Sequence, residues 1–188
     1  VSLYGISEKS LTFKLLCFAE RLSLAYADAV LTVNQNIRDL FLTRNPIACK
    51  IEVVMNAPDP RYFTPTRSGA PTPNGILRLF HHGQILRRYS FEVALEGFRI
   101  AKQQISQLEF DIYGDGEEKY IAELQEYIAT HNLQDCVHLH DRVPVDQIPN
   151  LIEQAHIGIV PCKKDVFVDK VMLPVRLLEY VAMNVPTI

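Results

Sequence analysis

No run in this sequence approaches the roughly 20 consecutive apolar residues that span a bilayer. The most apolar stretch, 15–33, is broken by Glu20, Arg21 and Asp28, so no membrane-crossing helix is expected. There is no excess of positive charge either. The formal net charge is −3 and the basic residues are scattered, which leaves no basic face to attract nucleic acid. The four cysteines, Cys17, Cys49, Cys136 and Cys162, include no CxxC pair. A chain of this length needs no disulfide framework, so they are expected to be buried thiols in a reducing cytosol. The sequence has no initiator Met at Val1, no signal-peptide pattern, no long internal repeat and no low-complexity tract, and an apolar strand opens at 185–188, so both ends are expected to be cut. What is present is an ordinary globular balance, 48% hydrophobic and 22% charged, long enough to bury one core.

Over 9–27 the residues Leu11, Leu15, Phe18, Leu22 and Ala25 recur every three or four positions, the pattern of a helix with one buried stripe. A β-rich run follows at 29–33, and Asn34 is placed to cap a second helix with Ile37, Leu40 and Phe41 inside. The next strand is expected at 50–55. Residues 56–60 form a turn by composition, and 64–75 is rich in Pro, Thr, Ser and Gly without apolar period. The domain boundary is placed there, with 1–60 the remnant of one domain, 61–75 a linker and 76–188 a second domain. Beyond it, strands at 76–80, 108–113, 136–139 and 157–160 alternate with helices at 91–102, 117–131, 148–154 and 174–183. This alternation predicts an α/β fold, a Rossmann-like parallel sheet with helices on both faces and right-handed crossovers.

Ligands of such a sheet bind at the carboxyl ends of the strands, which directs attention to four loops. In the first, Gly83 follows His81-His82 and lets backbone approach a ligand, while Arg87 and Arg88 carry forked donors suited to phosphate. The alternative is two solvated arginines. The second, Gly114-Asp115-Gly116, reads as a tight turn with the glycines at positive φ and Asp115 helping to begin a helix. The third, Asp141-Arg142-Val143-Pro144, offers backbone to the edge of a nucleobase, or is a charged turn. The fourth runs over 169–180. Pro174 suits the first turn of a helix whose free N–H groups and positive dipole end make an anion site. Arg176 and Glu179 share a face of that helix. Arg176 can then meet a diphosphate while Glu179 accepts from two ribose hydroxyls. The alternative is a mutual ion pair on a solvated face. The histidines at 81, 82, 138 and 140 invite a metal reading, but adjacent strand residues point to opposite faces and no clustered third ligand completes a set. No Ser-His-Asp or Cys-His arrangement stands out.

Together these stretches resemble the family 4 glycosyltransferases of the GT-B fold, which has two Rossmann-like domains. The matching runs occur in the family's order at 27–34, 50–56, 80–83, 113–116, 137–143 and 173–183, covering nearly all of the chain from Ala27. The resemblance implies transfer of a sugar from a nucleotide-diphosphate donor to an acceptor hydroxyl, with retention of configuration and with no metal or other cofactor. It implies that Gly83, Arg88 and Arg176 face the diphosphate, Arg142 and Val143 the base, and Glu179 the ribose. Gly114, Asp115, Leu173 and Pro174 belong to the same donor-binding set, and Arg88, Arg176 and Glu179 carry the catalytic role. The departing diphosphate needs positive charge as its bond breaks, and arginines with a helix N-terminus supply it without magnesium.

The implied partners are the nucleotide-sugar donor and a glycan or lipid-linked acceptor, in a cytoplasmic enzyme of polysaccharide or glycoconjugate synthesis with peripheral membrane contact through the fuller N-terminal domain. The chain alone is expected to bind donor weakly or to be inactive. Three positions depart from the family: Gln84 where many members have Arg, Val171 where many have the first of two glutamates, and Asn184 where Gly is usual, although Asn also adopts the left-handed cap. Two rival readings are a sugar-nucleotide epimerase of the same architecture and a non-catalytic phosphate-sensing α/β module. In the second rival, Asp115, Asp141 and Asp169 would hold a metal or accept phosphate.

Overall fold

Helix α1 (Leu11–Tyr26) begins where the Ser10 hydroxyl accepts a hydrogen bond from the Phe13 N–H at 3.1 Å. Helix α2 (Gln35–Arg44) begins in the same way at Asn34, whose Oδ1 accepts from the Ile37 N–H at 2.8 Å. These caps satisfy N–H groups that a helix leaves without internal partners. The computed structural model describes residues 7, 9–45, 50–66, 75–163 and 172–188. The chain divides after Asn56 into two compact units, the second comprising 57–163 and 174–188. In the first, strands β1 (Ala29–Thr32) and β2 (Lys50–Val53) pair in parallel. The apolar stripe expected to be buried on α1 is not: Leu11, Leu15, Phe18 and Leu22 are each more than half exposed, and the helix's buried residue is Leu24. The spacing specified a one-sided helix, but two short strands and α2 do not cover that side.

The second unit carries strands β3 (Leu77–His82), β4 (Leu108–Tyr113), β5 (Val137–His140) and β6 (Ile157–Gly158) in the order β5-β4-β3-β6, all parallel. A bridge from Gly158 to Thr187 adds the chain's final stretch beyond β6. The chain thus moves outward from β3 on one side, then crosses to build the other. The carboxyl ends of β3 and β6 therefore flank a topological switch point, where ligands of doubly wound sheets bind.

Alternation along the strands divides the core into two faces. Leu108, Phe110 and Ile112 of β4 meet α3 (Phe91–Lys102) and α4 (Glu118–Thr130) through Phe91, Leu95, Phe98, Tyr120, Leu124 and Ile128. On the opposite face, Phe80 of β3 packs with Ile148 and Ile152 of α5 (Ile148–Ile152) and with Tyr180 and Met183 near the end of α6 (Val175–Ala182). Phe63, within the stretch expected as a linker, is buried in this second cluster. Residues 67–74 of that stretch lie outside the described residues.

Two contacts fix α6. The Tyr180 hydroxyl donates to the Phe80 carbonyl at 3.1 Å, and the Tyr180 ring lies so close over Gly158 that a Cβ there would meet ring carbons at 2.7 and 2.8 Å. Asn184 closes the helix at φ +58°, with the Val185 N–H donating back to the Tyr180 carbonyl at 2.9 Å, a left-handed cap. The cysteines depart from expectation. Cys136 is buried, but Cys17 is half-buried and Cys162, in the loop after β6, is exposed; Cys49 lies outside the described residues. No helix among the described residues is long and apolar enough to cross a membrane.

Candidate functional site

Tyr180 sets Arg176 one helical turn towards the N-terminus of α6, beside the end of β3. There β3 leaves the sheet through Gly83 at φ +112°, a conformation that favours glycine, and a Cβ at this position would meet Arg176 Nη2 at 2.8 Å. Arg176 Nη1 lies 2.8 Å from His81 Nε2, and His81 Nδ1 lies 3.0 Å from the Ile159 carbonyl. The pattern assigns the tautomer: Nδ1–H donates to the carbonyl and Nε2 accepts from the guanidinium. Burial first, and the Arg176 charge second, hold the His81 pKa well below the usual histidine value. Burial also lowers the Arg176 pKa. Among the described residues no carboxylate pairs with Arg176, and Glu179 turns instead to His82. The solvated Arg176–Glu179 ion pair considered from spacing is therefore not formed. A mostly buried guanidinium whose neighbours are a neutral imidazole, a glycine and an aromatic ring has attraction to spare for an anion.

The aromatic ring is Tyr89, which sequence reasoning missed. Its centroid is 5.3 Å from the Arg176 guanidinium carbon and 4.9 Å from that of Arg88, and Arg88 Nη2 donates to its hydroxyl at 2.9 Å. One ring thus holds two cations together, a placement that cation–π attraction supports. The only sequence signal was an aromatic next to two arginines. Arg87, the other candidate, is committed elsewhere: it pairs with Glu123 of α4 at 2.6 Å and lies 4.7 Å from the Tyr120 ring. A 3-10 turn at Arg87–Tyr89, ending on Ser90 at φ +53°, sends neighbouring arginines to different places.

Gly83, Arg142, Val143 and Glu179 line one hollow of about 180 Å³, together with Phe63, His82, Tyr113, Val145 and Ile148. Its walls are apolar and aromatic with few polar groups, the usual character of a small-molecule site. Glu179 Oε2 lies 3.2 Å from His82 Nε2, and both side chains are largely buried. Arg142 is exposed and lies 3.7 Å from Asp115, itself exposed. Val143 is half-buried against the second core cluster. Pro174 occupies the N-cap position of α6 rather than its first turn, and its carbonyl accepts from the Leu177 N–H at 3.1 Å. Leu173 groups with the first unit. Asp169 and Val171 lie outside the described residues.

The Gly114-Asp115-Gly116 loop departs from its expected conformation. Neither glycine has positive φ. They are small because the loop after β3 runs against them: a Cβ on Gly114 would clash with the Gly83 carbonyl oxygen, and one on Gly116 with that of Ile85. Nor does Asp115 start the helix, since Glu117 occupies the N-cap of α4 without a side-chain cap bond. Elsewhere, His140 bonds Asp111 at 2.8 Å and stacks on Tyr113 at 4.1 Å between centroids. Among the described residues no three His, Cys, Asp or Glu side chains converge as a metal group.

The depressed His81 pKa has a stability consequence. Below the unfolded pKa of about 6.5 the unfolded chain takes up a proton that the native chain refuses, so this contribution is complete above that pH and is lost as pH falls, at up to about 1.4 kcal/mol per pH unit. His156, lowered by burial, adds the same sign. Thermal melts across the acid range are expected to show a midpoint that falls below pH 6.5, and His81→Gln is expected to flatten that limb. An unchanged slope in the variant would contradict the assignment.

The model of the family described as "Glycosyl transferases group 1" matches residues 77–188. The amylovoran biosynthesis glycosyltransferase AmsK of Erwinia amylovora is 31% identical over 112 residues, 60% of this chain and 27% of that protein. The pneumococcal O-GlcNAc transferase GtfA, solved with UDP and GlcNAc, superposes at a TM-score of 0.69 with 17% identity over 90% of this chain and 31% of GtfA. HepE of Anabaena, solved with UDP and glucose, gives 0.68 with 14% identity over 96% of this chain and 49% of HepE. At these identities the structures establish the fold, which is that of GT-B glycosyltransferases. The chain spans about a quarter of its curated relative's length and from a third to a half of these structures.

Proposed function

Since the chain belongs to the group 1 glycosyltransferases, we propose that its second unit is the donor site of a retaining enzyme that transfers a sugar from a UDP-sugar to an acceptor hydroxyl. The observation that carries this reading is that Gly83, Arg142, Val143 and Glu179, contributed by three separate stretches of sequence, line a common hollow, with Arg176 against Gly83. The diphosphate lies against Gly83, Arg176, Arg88 and the first turn of α6, the ribose on Glu179 and the base near Arg142 and Val143. When the bond between the anomeric carbon and the diphosphate breaks, negative charge grows on the leaving group. Two guanidinium groups and the helix dipole offset it without a metal. Uridine is favoured by the UDP bound in the related structures. A role in the biosynthesis of a polysaccharide or similar glycoconjugate is favoured by the amylovoran biosynthesis relative. The acceptor, a glycan or lipid-linked sugar, would be met largely by parts of those longer proteins that this chain does not span.

Calorimetric titration with UDP, GDP and ADP in excess EDTA tests the proposal. UDP is expected to bind best and to be indifferent to chelator. Binding that requires magnesium, or no nucleotide binding, would remove the donor-site reading. Retention predicts that donor and product show the same anomeric configuration by proton NMR, and an inverted product would exclude it.

A further inference from the structure

Among the described residues that line the hollow, His82 is a polar side chain whose position the diphosphate, base and ribose assignments leave unexplained. Only 8% of the residue is exposed, and its Nε2 is buried with no hydrogen-bond partner among the described residues. The Glu179 Oε2 lies 3.2 Å away, but not at a hydrogen-bonding angle. Ring contacts with Phe80 at 5.8 Å and Tyr180 at 5.4 Å between centroids set the imidazole in place. A buried donor held beside a carboxylate and unpartnered among the described residues is costly unless something else completes it.

Resting on the donor-site reading above, we infer that His82 is a ribose-binding residue. Its Nε2–H and the Glu179 carboxylate form a clamp in which one ribose hydroxyl accepts from the imidazole while donating to Glu179. A hydroxyl is both donor and acceptor, so one oxygen within about 3 Å of each atom satisfies both sides. A phosphate oxygen only accepts, and the carboxylate repels it. His81, which the Arg176 guanidinium meets, points to the opposite face of β3 from His82, as adjacent strand residues require.

The test crosses a side chain with a ligand hydroxyl. The full chain and its His82→Phe variant are titrated with UDP and with 2′,3′-dideoxy-UDP. Phe keeps the ring that Phe80 and Tyr180 pack against, and matching circular dichroism spectra check the fold. The parent is expected to bind the dideoxy nucleotide roughly 30-fold more weakly than UDP. In His82→Phe, UDP affinity falls about tenfold and the dideoxy penalty shrinks to about threefold, because the group that read the hydroxyl is gone. His82→Gln, which restores an N–H donor, is expected to recover part of the penalty, and serves also if the Phe variant does not fold. An undiminished penalty in variants that still bind UDP would overturn the role of His82 and leave the donor site standing. Failure of the parent to bind UDP would overturn both.

Discussion

Arg176→Ala is expected to weaken UDP binding roughly a hundredfold while leaving the thermal midpoint unchanged or higher. The two effects have one cause. Arg176 is mostly buried, and its neighbours are the neutral His81, the Tyr89 ring and Gly83, with no carboxylate paired to it among the described residues. In the free protein such a charge carries a desolvation cost that its neighbours only partly offset, and its pKa is lowered accordingly. Bound diphosphate would supply the missing counter-charge where water is scarce. A structural arginine gives the opposite signature, since deleting one partner of a buried ion pair usually destabilises by several kcal/mol. A site that spends stability on a poised cation is a familiar trade between stability and function. Calorimetry with a thermal melt of the same sample separates the cases. A large loss of midpoint with intact UDP binding would make Arg176 structural.

Gly114→Ala is expected to do the reverse, lowering the stability of the second unit by about 3 kcal/mol. Its Cβ would run into the Gly83 carbonyl oxygen, and main chain of a packed parallel sheet cannot retreat as a flexible side chain can. The Gly114 N–H also donates to the His140 carbonyl and the Gly83 N–H to the Tyr113 carbonyl, so moving either loop breaks bonds that continue the β4–β5 and β3–β4 ladders. Nucleotide binding then fails because Gly83 is displaced. Asp115→Ala, one residue along, is expected to change stability by less than about 0.5 kcal/mol, as Asp115 is exposed and only loosely paired with Arg142. Urea unfolding of both variants checks the contrast. Equal midpoints would show that the glycine is not a packing requirement.

Much of the second unit was legible in the sequence because local pattern and final environment agree there. Helix 91–102 and strand 108–113 fall where periodicity put them, and their apolar residues do face the core. The α1 stripe was legible as a period but not as a buried face, because periodicity says which side is apolar and nothing about what covers it. The Gly114 loop was misread for a related reason. A glycine can be demanded by its own backbone angles or by another segment's approach, and only the second holds here. In the candidate site, residue types and strand-end positions were readable. The meeting of Arg176 with His81, 95 positions away, and the sorting of Arg87 to α4 while Arg88 joins Tyr89 were not. Those depend on tertiary packing and on one left-handed residue, Ser90.

Backbone-amide NMR of the chain titrated with UDP tests most directly whether the hollow at the carboxyl ends of β3 to β5 in the second unit is the nucleotide site. Saturable shifts are expected at Gly83, Val143, Arg176 and Glu179, with the neighbouring His82 and Tyr89 following. Shifts confined instead to the separate small hollow between α5 and the sheet, lined by Arg78, Asp111, Gln154 and Ala155, would contradict it.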